Sequence, residues 1–333
     1  MKNTQKMTWL FLLLFACSLF LAGKQEAEAS ETVVKGSYTY FAENGIIYKM
    51  HNSTGKIKKV LKVKSSNTVE VFAVKGDWLY LTVDDYFCMK GTDKSWKYIC
   101  RVKTNGKSLK KLTKGTCPVV YGKYIYYIEQ TFTRDNSSYS YGTSKGIYRM
   151  GLSGSGKRKI ANPMNSYSWI KIYNKRIYFS GRNKNYSTAI GSVNLSGKDL
   201  KTVASGNISG EAYFYKNVMY MEKWSQGAND SIYTVDLKTG TLSYLLAGSI
   251  HAGYNGELYY SSGTFGSKTL YRYQINKKKS VKVCKKNSIR NVIGGKKWII
   301  VNYYRGNVRQ NIGVDRMKIN GKSKKTLTKY FRS

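Results

Sequence analysis

One phrase recurs seven times along the chain, and it limits the fold more than any other feature. A tyrosine-rich run is followed by a loop, then by a second run that ends in a short polar turn, then by a lysine-rich run. The second run reads Ile46-Ile47-Tyr48-Lys49-Met50 and closes at Gly55. It returns as Ile99-Cys100-Arg101-Val102 before Gly106, Ile147-Tyr148-Arg149-Met150 before Gly154, and Ile190-Gly191-Ser192-Val193 before Gly197. Ile232-Tyr233-Thr234-Val235 precedes Gly240, Leu270-Tyr271-Arg272-Tyr273 precedes Asn276-Lys277, and Val314-Asp315-Arg316-Met317 precedes Gly321. Successive copies lie 38 to 52 residues apart. Helical repeats of that length need a 3.6-residue period over ten or more positions, and the runs here are short and alternating.

Each copy is preceded by a regular strand, such as Trp78-Leu79-Tyr80-Leu81, Tyr124-Ile125-Tyr126-Tyr127 or Val218-Met219-Tyr220-Met221. A Gly, Asn or Lys turn comes before that strand, and another short apolar run before the turn, as in Val69-Glu70-Val71-Phe72-Ala73-Val74. Four strands per unit follow, named A to D from the axis outward. The expected fold is all-β: a propeller of about seven four-stranded antiparallel blades, with six or eight as alternatives. Blades are expected near 31–67, 68–115, 116–162, 166–206, 207–248, 249–287 and 288–331, in a single domain over 30–333. The A strand of the first unit must come from Thr32-Val33-Val34, and the manner of ring closure is open. Two B–C loops are expected to be long, Asp84 to Lys97 and Gln130 to Lys145, side by side on one face where binding usually resides.

The phrase Tyr124-Ile125-Tyr126-Tyr127, with Ile147-Tyr148-Arg149-Met150-Gly151-Leu152-Ser153-Gly154, resembles a bacterial group of propellers of unknown function. That group is related to the β-propeller of low-density-lipoprotein receptors and more distantly to TolB-type propellers. The resemblance spans residues 35–331 and rests on core and turn positions. It implies the fold. The receptor-type Tyr-Trp-Thr-Asp tetrad is absent, and the group supplies no catalytic residues to carry over.

Residues 1–29 read as a secretory signal: Lys2 and Lys6, an apolar stretch from Met7 to Gly23, then Ala27-Glu28-Ala29 as a cleavage site. The apolar stretch is short for a membrane span. Lipid attachment at Cys17 is disfavoured, because apolar residues continue beyond it. The expectation is a secreted or envelope-associated monomer. Of the remaining cysteines, Cys88 and Cys100 flank the first long loop and are a candidate disulfide, with two buried thiols as the competing reading. Such a bridge would stabilise by roughly 2–3 kcal/mol. Cys117 and Cys284 are expected to be unpaired.

Catalytic signals are thin. His51 and His251 fall in different units, and no zinc-protease, Walker, Gly-x-Ser-x-Gly or dinucleotide motif is present. No calcium loop is present, and neither a metal nor a cofactor is expected. Asp84, Asp85, Glu129, Asp135, Glu211, Glu222 and Asp230 are scattered among blades. The alternative function, an extracellular hydrolase or lyase acting on glycan or peptide, would need loop carboxylates to meet over the axis. Tyr86, Phe87, Trp96, Tyr139, Tyr141, Trp224, Tyr303 and Tyr304 are candidates for stacking on sugar rings.

Charge is the strongest functional signal. Lys plus Arg number 57 against 18 Asp plus Glu, a formal +39. The excess gathers in the C–D turns and D strands. The candidate polyanion-binding residues are Lys58, Lys59, Lys62, Lys110, Lys111, Lys114, Lys277, Lys278, Lys279, Lys285, Lys286, Lys324 and Lys325. D strands are outermost, so a ring of positive charge around the rim is expected. Edge strands also carry Lys to block sheet-to-sheet pairing, but that alone does not require so few acids. With 45 Lys to 12 Arg, hydrated point charges dominate and loose, salt-sensitive attachment is expected. The expected partners are an anionic cell-wall polymer, an acidic glycan or an anionic membrane surface, with room for a protein partner on the loop face. Nucleic acid would bind in vitro for the same reason, but export argues against it as a physiological partner. The expected role is non-catalytic binding or scaffolding.

Overall fold

The computed structural model describes residues 33–327 apart from 44, 64–68, 85–96, 135–139, 184, 186, 225–229, 265–266, 294–296 and 305–311; for 131–134, 140–143 and 312 it describes the backbone. The signal segment, Cys17 and Cys88 lie outside the described residues.

The strands form seven four-stranded antiparallel sheets, each built from four consecutive strands in sequence order. Blade 1 is β1 (Val33–Lys35), β2 (Tyr38–Glu43), β3 (Ile46–His51) and β4 (Ile57–Lys62). Blade 2 is β5 (Val69–Lys75), β6 (Trp78–Asp84), β7 (Lys97–Lys103) and β8 (Lys110–Lys114). Blade 3 is β9 (Thr116–Tyr121), β10 (Tyr124–Arg134), β11 (Ser140–Gly151) and β12 (Arg158–Ala161). Blade 4 is β13 (Ser166–Tyr173), β14 (Arg176–Arg182), β15 (Thr188–Asn194) and β16 (Lys201–Ser205). Blade 5 is β17 (Ile208–Tyr215), β18 (Val218–Lys223), β19 (Ser231–Asp236) and β20 (Leu242–Ala247). Blade 6 is β21 (Ser249–Tyr254), β22 (Glu257–Thr264), β23 (Ser267–Gln274) and β24 (Lys279–Lys286), with a 3-10 turn at Ile275–Lys277. Blade 7 is β25 (Ser288–Ile293), β26 (Trp298–Tyr304), β27 (Ile312–Lys318) and β28 (Lys325–Thr326). This is a seven-bladed β-propeller. Successive A strands pack on one another, β9 on β13 and β17 on β21, so the A edge of every sheet faces the axis.

Alternation along the B strands builds the core. The third B residue is Tyr40, Tyr80, Tyr126, Tyr178, Tyr220 or Tyr259, with Ile300 in blade 7, and all are buried. The apolar residues sort into seven clusters, each spanning one blade–blade interface. The closing interface is one of them: Phe41, Tyr48 and Met50 of blade 1 pack on Trp298, Ile300 and Leu327 of blade 7. A single blade cannot bury both faces, so the ring is the smallest stable unit.

Among the described residues closure is made by side chains, and no sheet combines strands of the first and last blades. Arg316, stacked 4.2 Å from the Trp298 ring, donates to the Thr54 carbonyl at 3.2 Å. Arg101 repeats this inside the ring, 4.2 Å from Trp78 and 3.3 Å from the Leu152 carbonyl of the next blade. Glycines in several C–D turns follow from the same close approach, Gly106, Gly197 and Gly321 each meeting a carbonyl of the preceding blade's outer strand. Gly197 has φ +88°, and a Cβ there would lie 2.0 Å from the Ile160 carbonyl of the preceding blade.

The second expected long loop is mostly strand. β10 and β11 stay paired out to Arg134↔Ser140, past a register shift at Glu129/Gln130. The bulge absorbs one residue, so the ladder resumes within the stretch expected to be a loop.

Candidate functional site

The antiparallel order puts the A–B and C–D turns at one end of the ring and the B–C connections at the other, here the turn end and the loop end. Two surfaces carry chemistry: the outer edge and the axial mouth at the loop end.

On the outer edge, Lys58, Lys59 and Lys62 on β4, Lys110, Lys111 and Lys114 on β8, Lys277 to Lys279, Lys285, Lys324 and Lys325 are exposed. Lys286 departs from expectation. Its side chain is 9% exposed and ion-paired with the fully buried Asp315 of blade 7, with its Nζ 3.7 Å from the Tyr303 ring centre. It joins two blades and is not a rim charge. Lys324 reaches the same carboxylate at 3.6 Å while remaining half exposed.

The expected ring is an arc. Blades 6, 7, 1 and 2 carry nearly all of the clustered lysines. Blade 4 carries Lys198 and Lys201, offset by Asp199, whose carboxyl the Arg176 hydrogen bond holds below its ordinary range. The outer strand of blade 5, β20, reads Leu-Ser-Tyr-Leu-Leu-Ala without a basic residue. Leu242 and Tyr244 on it are exposed.

At the loop end the opposite charge gathers. Glu43, Glu70, Asp84, Glu129, Glu211 and Glu222 lie towards this end of their strands, and Asp230 immediately precedes β19 there. The fifth B residue is polar and buried in five blades: Thr82, Ser180, Glu222, Ser261 and Asn302. Glu222 accepts from the Ile250 N–H at 2.6 Å, and Asp230 accepts from the Ser249 hydroxyl at 2.8 Å. Burial pushes Glu222 up to about 8, with the charges of Asp230 and Glu211 adding to the rise and Lys268 opposing it. Glu222 therefore stays largely protonated at neutral pH. Glu43, also raised by burial, accepts from Asn302 Nδ2 at 3.3 Å across the closing interface.

His251 Nε2 sits 2.7 Å from the Ser261 hydroxyl. Burial and Lys268 push it down to about 4, so it is neutral. Among the described residues no carboxylate bonds its other nitrogen, so the pair lacks the third member of a triad. His51 is bound to Ser53 at 3.0 Å in a turn.

Beside this cluster, the inner strands of blades 2 to 5 frame a pocket of about 180 Å³. Its walls include Phe72, Trp169 and Pro118, and its charged groups are Glu70, Glu211, Lys97 and Lys171. Lys171 pairs with Glu211 at 2.9 Å, and Lys97 with Asp84 at 3.4 Å. Trp169 is fixed by donating to the Gly210 carbonyl at 3.0 Å. Cys117 also lines it, donating to the Ser168 carbonyl at 3.2 Å; burial pushes this thiol up to about 11. No group of three metal-ligating side chains occurs among the described residues.

Cys100 is buried on β7, and Cys88 lies outside the described residues; Cys117 and Cys284 are free thiols. Asp85, Asp135, Tyr86, Phe87, Trp96 and Tyr139 also lie outside. Trp224 is 49% exposed, whereas the Tyr303 ring is covered by Lys286. Sequence reasoning missed the pocket, Trp169 and Lys171. The polar fifth B position was a partial trace, since of its five members only Thr82 lines the pocket.

No protein-family model matches the sequence, and no curated protein is similar to it in sequence. Solved structures share the propeller. A puromycin-hydrolyzing peptidase of Mycobacterium tuberculosis matches with a TM-score of 0.62 at 12% identity, over 89% of this chain and 52% of that one. A prolyl endopeptidase matches with a TM-score of 0.60 at 11% identity, over 89% and 48%. An oligogalacturonate lyase solved with manganese matches with a TM-score of 0.52 at 10% identity, over 72% and 74%. This chain spans about half the length of the two peptidases, and the likeness is one of fold.

Proposed function

We propose that this propeller is a non-catalytic binding module that adsorbs to an anionic polymer through the lysine arc of blades 6, 7, 1 and 2. The observation that carries the reading is the exposure of the arc's lysines on adjacent outer strands, with Asp315 as the main local acid and itself buried. Edge protection needs a lysine or two per strand, and β20 persists with none. The concentration on four neighbouring blades therefore exceeds what protection requires. Exported placement, which rests on the N-terminal signal pattern, would make wall polymers, acidic glycans or anionic headgroups the available polyanions. Kinship to low-density-lipoprotein-receptor-type propellers is part of the same proposal and rests on the repeated tyrosine phrase.

The test is binding to isolated cell wall, with and without its teichoic acids, across a salt series. The expected result is loss of binding when the acids are removed and a steep fall with salt. Counterion release gives a slope of log K against log salt of about 0.7–0.9 per contact for nucleic-acid phosphates, and a similar scale is expected here. Equal binding to both walls, indifferent to salt, would return the lysines to edge protection.

The second reading, a hydrolase or lyase, draws on the protonated Glu222 near Asp230. Against it, Glu222 is 4% exposed and spent on the Ile250 amide, and the pocket's Lys171 and Glu211 are paired with each other. Turnover of acidic glycans or peptides that disappears in Asp230→Asn would favour this reading.

A further inference from the structure

We propose that the loop-end pocket is a binding site for an organic ammonium group carried on a flat or apolar body. The site is separate from the lysine arc and does not depend on how the arc functions.

Electrostatics set the class of ligand. Glu70 and Glu211 line the pocket with Lys97 and Lys171; because Lys171 is paired with Glu211 and Lys97 with Asp84, which is outside the lining, one lining carboxylate is left with its charge uncompensated. That charge sits on Glu70. Its carboxylate accepts from the Thr82 hydroxyl at 3.2 Å, and no Lys or Arg among the described residues pairs with it. In a protein of formal charge +39, an unpaired carboxylate at a pocket is out of keeping with its surroundings. The arc's field does not cancel it, because the Debye length at physiological salt is about 8 Å and the arc lies at the far edge of the blades.

Shape sets the body of the ligand. Phe72, two residues along β5 from Glu70, lines the pocket with Pro118 and with Trp169, which is 5% exposed. Aromatic faces attract a cation as well as an apolar surface. The Trp169 ring is held by its bond to Gly210, so it is already in place before a ligand arrives. At about 180 Å³ the pocket takes a single ring or side chain rather than a polymer segment. An anion is disfavoured, because both lysines that could receive it are engaged by carboxylates.

The experiment is calorimetric titration of the signal-free protein in about 0.15 M salt with benzylamine, benzyl alcohol and benzoate. Benzylamine is expected to bind best. Glu70→Gln should weaken it about tenfold or more, the loss of one charge-assisted contact, and leave the alcohol unchanged. Glu70 is exposed, so the substitution should not disturb folding, and an unchanged thermal midpoint would confirm that. Trp169→Phe should weaken amine and alcohol together. Amine and alcohol binding alike, amine binding untouched by Glu70→Gln, preference for benzoate, or no benzylamine binding would each overturn the proposal.

Discussion

Replacing Glu222 by Gln should flatten the dependence of stability on pH between about 5 and 8. The native carboxyl titrates near 8 because it is buried, against an ordinary value of 4.5. Within that interval the folded chain keeps the proton and the unfolded chain gives it up. A raised acid pKa contributes stability that is full below the unfolded value and is lost as pH rises through the folded one. The slope approaches one proton, about 1.4 kcal/mol per pH unit, so two units around neutrality are worth about 3 kcal/mol. Gln keeps the acceptor that Ile250 uses and has no proton to lose. His251, pushed down to about 4, contributes in the opposite sense: its stabilisation is present above the unfolded value and is lost as pH falls towards 4. It is common to both proteins and cancels in the comparison. Glu211, held below its ordinary range by Lys171, stays ionised in this window. The assay is urea unfolding at pH 5.5 and pH 7.5. Wild type should lose up to about 1 M in midpoint relative to the variant, for a slope near 3 kcal/mol per M. Parallel behaviour of the two proteins would refute the assignment of a protonated, buried Glu222.

Substituting Gln for Lys58, Lys59, Lys62, Lys110, Lys111 and Lys114 should lower the salt slope of polyanion binding far more than the same change at Lys157, Arg158, Lys159, Lys198, Lys201 and Lys238; equal effects would show that only net charge matters. Asp315→Ala leaves Lys286 buried without its counter-charge and should cost about 3–5 kcal/mol by thermal or urea unfolding. Gly197→Ala forces a side chain into the Ile160 carbonyl at a positive φ and should cost about 2 kcal/mol or more. Denatured, unreduced protein lacking the signal should show two reactive thiols if Cys88 and Cys100 are bridged, and four if they are not.

The architecture was legible because a propeller repeats its instructions. Tyr at the third B position and Gly after the C strand each recur in six of the seven units, and in most of them each answers one packing need. Tyr fills an inter-blade core, and Gly lets a turn approach the preceding outer strand. The loop-end pocket was hidden because its parts belong to different copies of the repeat. Glu70, Trp169 and Glu211 lie far apart in sequence and meet only because the A strands converge on the axis. Lys286 was misplaced for a related reason. Its D-strand position promised exposure, but the carboxylate that draws it inward belongs to the next blade. The gap at β20 was visible in the letters Leu242 to Ala247, and only the ring turned a missing lysine into a break in a charged surface.

The closing joint also bears on how such a chain can change. Each sheet is made from four consecutive strands, and blade 7 meets blade 1 through the same kind of arginine bond and apolar cluster that joins blades 2 and 3. The closing seam is therefore built like that internal one. A gene circularly permuted to begin at any D-to-A link, its old ends joined by a linker, would encode seven intact sheets. A duplication that inserts one unit would add a blade without severing an existing one. The size of the ring then depends on the angle at which neighbouring blades pack, not on where the polypeptide starts or stops.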